Sequence, residues 1–212
     1  MNTNNRGVLI VISGPSGAGK GTICKALLEK HKDLYLSVSA TTRSPRNGEV
    51  EGVNYYFLTR EHFQAQINEN GFLEHAEVYG NCYGTPKANV EQMLEDGKDV
   101  ILEIDIQGAL KVKENFNEGV FIFVLPPSME ELKQRIIKRG SETKESLMTR
   151  FKSAYQEINY ISKYNYAVVN DTVEVAASKV EAIIAAEKCR VDRIKDTILD
   201  SKEGFIHEQL YD

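Results

Sequence analysis

The run ISGPSGAGKGTICKAL, Ile12 to Leu27, decides the fold. It places Gly14, Gly19 and Lys20 at the spacing of G-x-x-x-x-G-K-[ST], a loop whose backbone N–H groups cradle phosphate. Glycines permit the tight turn, the following helix adds its positive N-terminal end, and Lys20 brings a mobile charge. One position departs from the pattern. Gly21 stands where Ser or Thr belongs, and Thr22 brings the hydroxyl one residue late. That hydroxyl commonly helps to hold Mg²⁺. The ion keeps several waters and takes few protein ligands, so a site without this side chain is tolerable.

The flanks support the loop. Val8 to Ile12 (VLIVI) is a continuous β-branched run, the signature of a strand buried on both faces. From Gly21 onward, Ile23, Leu27 and Leu28 fall on one helical face. Further buried-type runs, Asp99 to Asp105, Val120 to Leu125 and Asn165 to Asn170, alternate with helical segments at Ile106–Lys113, Ser128–Arg139 and Lys144–Lys163. Ser128 is a good N-cap with Glu131 at the capping-box position. Strands alternating with helices predict an α/β protein with a parallel core sheet between helical layers. Residues from about Ser39 to Gly97 alternate apolar and polar side chains between glycine turns. They read as an inserted lobe of half-exposed strands around a helix at Arg60–Asn70.

A chain of 212 residues suits one domain with a sizeable core. Its net charge of -5 argues against nucleic acid as a bulk partner. The three cysteines, Cys24, Cys82 and Cys189, form neither a disulfide framework nor a zinc pattern. Thiols fit a reducing compartment, and with no signal-peptide pattern or membrane-spanning run the expected location is cytoplasmic.

Several polar residues recur in chemically suggestive places. Arg43 and Arg46 flank Pro45 in a turn and could grip one phosphate from two sides, although surface loops carry such arginines too. Glu103 and Asp105 share a face at the end of a strand, the edge at which open α/β sheets bind ligands. Arg135 and Arg139 lie one helical turn apart, and Arg150 follows.

The stretches SGPSGAGK, SVSATTRSPRNGEVEGVNYYF, FLEHAEVYGNCYGTP, ILEIDIQGA, PPSMEELKQRIIKRGSET and VVND occur in an order that resembles guanylate kinases over Val8 to Lys188. The G-K-G-T variant of the loop is likewise similar to nucleoside monophosphate kinases. The resemblance implies a phosphate-loop three-layer α/β/α fold forming one domain over 1–212. Its core would span 1–38, 98–138 and 153–188, with a mixed α+β GMP-binding lobe at 39–97, a small helical lid at 139–152 and an extension at 189–212. It implies transfer of a phosphoryl group from ATP to GMP, and to dGMP as well, with Mg²⁺ carried by ATP.

By the same resemblance, ATP is held by Gly14, Pro15, Ser16, Gly17, Ala18, Gly19, Lys20, Gly21 and Thr22, with Arg135, Arg139 and Asn170. Arg43, Arg46, Tyr55 and Tyr83 would hold the GMP phosphate, while Ser39, Glu74, Thr85 and Asp105 surround guanine. Glu74 would accept from N1–H and N2–H while Ser39 or Thr85 donates to O6, a pattern that adenine mismatches. Lys20, Arg43, Arg135, Arg139 and Arg150 are the expected catalytic cations. Thr22, Glu103 and Asp105 are candidates for the Mg²⁺ surroundings, directly or through water. Two rival readings are a kinase of another small phosphorylated acceptor and a non-catalytic protein-binding module. Retention of the lysine and the arginine set argues against the second. Nothing in the sequence separates a monomer from a homodimer, and the amphipathic tail at Val191, Ile194 and Ile198 suits either a core contact or a partner.

Overall fold

The computed structural model describes residues 6–78, 80–138, 144–195 and 198–199, with the side chains of 138 and 144–150 outside the description. In chain order the elements are β1 (Leu9–Ser13), α1 (Lys20–Lys30), β2 (Leu34–Leu36), β3 (Ala40–Thr41), β4 (Tyr56–Phe57), α2 (Arg60–Asn68), β5 (Phe72–Val78) and β6 (Asn81–Pro86). They continue with α3 (Lys87–Glu95), β7 (Asp99–Glu103), α4 (Ile106–Asn115), β8 (Val120–Leu125), α5 (Met129–Lys138), α6 (Lys144–Glu157), a 3₁₀ turn (Ile158–Lys163), β9 (Tyr166–Val169) and α7 (Val173–Lys188).

The core sheet is parallel, with strands in the order β2-β7-β1-β8-β9. Side-chain alternation along β1 explains the layers. Ile10 and Ile12 enter one apolar cluster with α1 and α7, while Leu9 and Val11 enter another with α3 and α4. Both faces of the sheet are therefore dry, as the unbroken apolar runs require. The three-layer α/β/α expectation holds. A smaller cluster of Leu132, Ile136 and Ala154 joins α5 to α6.

Residues 40–86 contribute a second, mixed sheet in the order β4-β3-β6-β5. Helix α4 packs against its strand β5, with Leu73 of β5 in the same cluster as Ala109 and Val112 of α4. The lobe strands are short: Glu51 and Tyr55 form an isolated bridge and β4 is only Tyr56–Phe57, with Gly52 turning the chain between them. One local reading needs correction, since the helix expected to reach Lys163 changes to a 3₁₀ turn at Ile158.

Beyond α7 the chain is tied to the core. The Tyr166 hydroxyl donates to buried Glu187 at 2.6 Å, and Arg190 and Arg193 donate to its other oxygen at 3.4 and 3.3 Å. Arg193 also donates to the Glu118 carbonyl at 2.6 Å. Arg190 and Arg193 thus anchor the start of the tail, while Val191 and Ile198 remain exposed. Among the described residues, no helix is long and apolar enough to cross a membrane.

Candidate active site

The parallel register sets the site. Glu103 pairs with Ile12, so the end of β7 stands beside the loop leaving β1. The loop closes with the Ala18 N–H donating to the Pro15 carbonyl at 3.1 Å. Gly19 adopts φ 92° and ψ 24° as the N-cap of α1, a left-handed conformation that other residues occupy at a cost. Space there is also taken, since a Cβ on Gly19 would lie 2.2 Å from Asn170 Nδ2. Lys20 Nζ donates to the carbonyls of Gly14 at 2.7 Å and Pro15 at 3.2 Å, which folds the cation over the loop.

Three cavities run along this edge. The first, about 190 Å³, is lined by the loop, Lys20, Gly21, Glu103, Asp105 and Glu157. The second, about 240 Å³, is lined by Ser39, Tyr55, Glu74, Tyr83, Glu103 and Asp105 among others. The third, about 430 Å³, is lined by Gly17, Gly19, Thr22, Arg135 and residues 170–173. The first shares Glu103 and Asp105 with the second, and Gly17 and Gly19 with the third. The three therefore adjoin one another, with the phosphate loop lining the first and third.

Glu74 is 8% exposed and accepts a 2.7 Å hydrogen bond from the Thr85 hydroxyl. Burial raises the pKa of its carboxyl, reinforced by Asp105 and opposed by the Thr85 hydrogen bond. The Thr85 proton is thus spent on Glu74, and the second cavity is lined by the Ser39 hydroxyl together with the phenols of Tyr55 and Tyr83. Tyr55 and Tyr83 meet edge-on at 6.1 Å, and Arg43 lies over the Tyr55 ring at 5.4 Å. Burial also raises the Tyr55 phenol pKa, so it stays a donor at neutral pH. Arg46 is exposed on the adjoining turn.

Asp105 is placed differently from the sequence expectation. Strand β7 ends at Glu103, and Asp105 caps α4, accepting from the Gly108 N–H at 2.7 Å. A helix cap and a cavity wall are the same side chain here. Asn170 lines the third cavity while it is 3% exposed, and its amide donates to the Ala18 carbonyl at 2.8 Å, bracing the phosphate loop. Arg135 faces the third cavity, held by Glu131 at 3.0 Å and by the Asn170 carbonyl at 3.2 Å. Arg139 and the side chain of Arg150 lie outside the described residues.

The anomaly at Gly21 has a spatial reason. A Cβ there would stand 3.2 and 3.3 Å from the two Glu103 oxygens, so the carboxylate occupies the neighbourhood of the missing side chain. Thr22 lines the third cavity and Glu103 the first, which separates these two metal candidates. Oxygen donors suit Mg²⁺. Among the described residues, no group of three or more His, Cys, Asp or Glu side chains is arranged to hold a metal ion. The donor set fits an ion that arrives on a nucleotide and keeps most of its water.

Sequence reasoning missed Gly108 and Glu157. A Cβ at Gly108 would meet Glu74 Oε2 at 2.9 Å and Asp105 Oδ1 at 3.3 Å. A glycine inside a helical pattern was the available signal for such a close approach. Glu157 joins the first cavity only through the packing of α6, and no local pattern marks it.

A parallel α/β sheet with a phosphate loop between two nucleoside-sized cavities defines a nucleotide-binding phosphotransferase architecture. The chain belongs to the guanylate kinase family, whose model matches residues 6–187. It is 77% identical over 212 residues to the guanylate kinase of Clostridium perfringens (strain SM101 / Type A), covering 100% of this chain and 98% of that one. With the guanylate kinase of Clostridium acetobutylicum the identity is 72% over 209 residues, covering 99% and 100%. A solved structure of guanylate kinase from Anaplasma phagocytophilum superposes with a TM-score of 0.74 at 39% identity, covering 89% of this chain and 90% of that one.

Proposed function

We propose that this chain catalyses ATP + GMP → ADP + GDP in the cytoplasm, and that it accepts dGMP as well. The observation that carries this reading is the row of adjoining cavities, in which Glu103 and Asp105 wall both the phosphate cavity and the cavity holding Glu74. ATP lies along Gly14–Thr22 with its nucleoside toward Arg135 and Asn170. GMP lies against Tyr55, Tyr83 and Glu74, with its phosphate toward Arg43 and Arg46.

Glu74 accepts from both guanine N–H donors while Ser39 donates to O6. Thr85 acts by holding Glu74, and adenine presents the opposite polarity at both ring positions. Unpaired buried polar groups make such rejection strong.

The reaction needs no general base. The second pKa of a phosphate monoester is about 6, so the attacking GMP oxygen is largely ionised at neutral pH. That oxygen forms a bond to the γ-phosphorus as the bridging bond to the β-phosphate breaks, and ADP leaves. Lys20 and the arginines Arg43, Arg135, Arg139 and Arg150 offset the repulsion between two polyanions. Glu103 and Asp105 would hold the water shell of an Mg²⁺ carried by ATP, which would supply charge neutralisation on the triphosphate. We read 39–97 as a segment that closes over the site and excludes water as a competing acceptor, while 139–143 of the expected lid lie outside the described residues.

The test is an acceptor panel at fixed ATP: GMP, dGMP, AMP, UMP and CMP, followed by ADP release. GMP and dGMP should be turned over and the others should not. Comparable rates with AMP would overturn the guanine assignment.

A further inference from the structure

The turn after β3 contains a carboxylate with an unusual set of partners. Both oxygens of Glu49 accept from one nitrogen of Arg43, at 2.8 and 3.0 Å. The same carboxylate accepts from the backbone N–H of Arg46 at 2.7 Å, and the Glu49 N–H returns a bond to the Arg46 carbonyl at 3.0 Å. The reciprocal pair closes residues 46–49 into a turn, with Gly48 at φ 86°. The other terminal nitrogen of Arg43 donates to the Ser44 carbonyl at 2.7 Å, and its guanidinium lies over Tyr55.

This differs from an ordinary surface ion pair. Exposed pairs hold two long side chains loosely and contribute little. Here the Arg43 and Glu49 side chains are only 14% and 18% exposed. The carboxylate is also fixed from its own backbone turn rather than from a flexible partner. An unrestrained arginine gives up much rotamer freedom when it grips a phosphate. Prior restraint removes that cost from binding.

We infer that Glu49 is a positioning residue for the acceptor-phosphate site: it holds the Arg43 guanidinium on Tyr55 and folds the turn that presents Arg46. The inference rests on the reading of this side of the cavity row as the GMP site. Glu49 touches no reacting atom and acts through the two arginines. Glu49 and the Ser44 carbonyl each take one terminal nitrogen of Arg43, and the guanidinium has five N–H donors, so these contacts leave donors for a phosphate. Arg43 in turn keeps the Glu49 carboxyl below the usual carboxylate range, so the pair stays charged throughout the neutral range.

The experiment compares wild type, E49Q, E49A, R43A and R43A/E49A as full chains. GMP binding is measured by titration calorimetry, KM and kcat are measured with each substrate varied, and circular-dichroism melting reports folding. E49A should raise the Kd and KM for GMP about tenfold or more, with the KM for ATP within about twofold. E49Q keeps an acceptor for the Arg46 N–H and should recover part of that loss. In the R43A background, adding E49A should cost much less than it does alone, the signature of action through Arg43. If E49A melts early, E49Q carries the test. A KM for GMP that is unchanged or lower in E49A and E49Q would overturn the inference, because the carboxylate would then be a cover or a competitor for the phosphate. Wild-type protein that bound no GMP would overturn the acceptor reading itself, and the wild-type titration reports that outcome separately.

Discussion

Replacing Gly108 by Ala adds one methyl group, and two opposing effects can be weighed. Alanine in a helix interior gains at most about 1 kcal/mol over glycine. Against this, the new Cβ would stand 2.9 Å from Glu74 Oε2, 3.1 Å from its Cδ and 3.3 Å from Asp105 Oδ1, where ordinary contact begins at 3.4 Å. Glu74 has little room to yield, being 8% exposed and held by Thr85 at 2.7 Å. Overpacking of this kind costs roughly 1–3 kcal/mol, and a displaced hydrogen bond to a charged group about 1.5–3 kcal/mol. The steric cost exceeds the helix gain, so the pocket is disturbed and the fold is net destabilised. Gly108→Ala should therefore raise the KM for GMP about tenfold or more, leave the KM for ATP within about twofold, and lower the melting temperature. Steady-state kinetics with each substrate varied in turn, beside a thermal melt, measures all three. A wild-type KM for GMP would refute the argument that this glycine makes room for the base-reading carboxylate.

Glu74→Gln tests the cost of burying that carboxylate. The folded state raises the Glu74 pKa, so the unfolded chain loses this proton first as pH rises. Stability is then lost between the ordinary carboxylate range and the raised folded value. The glutamine variant should melt above wild type at neutral pH, and the difference should fade below the ordinary carboxylate range, while GMP turnover drops sharply. A difference that is constant with pH would rule out this origin. Asn170→Ala should remove the bond to the Ala18 carbonyl and leave a buried acceptor unpaired, at about 1–3 kcal/mol. It should lower the melting temperature and raise the KM for ATP more than that for GMP. Unchanged values for both would show that the loop needs no brace.

Much of the scaffold was legible because its signals are local. The apolar run of β1, the glycine turn and the helical period after it each specify their conformation within a few residues. The resemblance to guanylate kinases supplied most of the site residues, and the structure brings Ser39, Tyr55, Glu74, Tyr83 and Asp105 around one cavity. Strand length was not legible in the lobe, since alternation marks a half-buried surface without setting where a ladder ends.

By itself, the sequence determined the phosphate loop, the parallel sheet and the polarity of each helix, since backbone dihedrals and burial period act on neighbours along the chain. Gly21 looked like a defect at that level. Only the tertiary structure decided that the Glu103 carboxylate stands beside its missing side chain, that Thr85 serves Glu74, and that Asn170 reaches back to Ala18. The first and third contacts join distant segments through the order β2-β7-β1-β8-β9, and the second crosses the paired strands β5 and β6 of the smaller sheet. Their geometry is set by which strands lie side by side and in what register, a property of the assembled sheet that no local stretch contains.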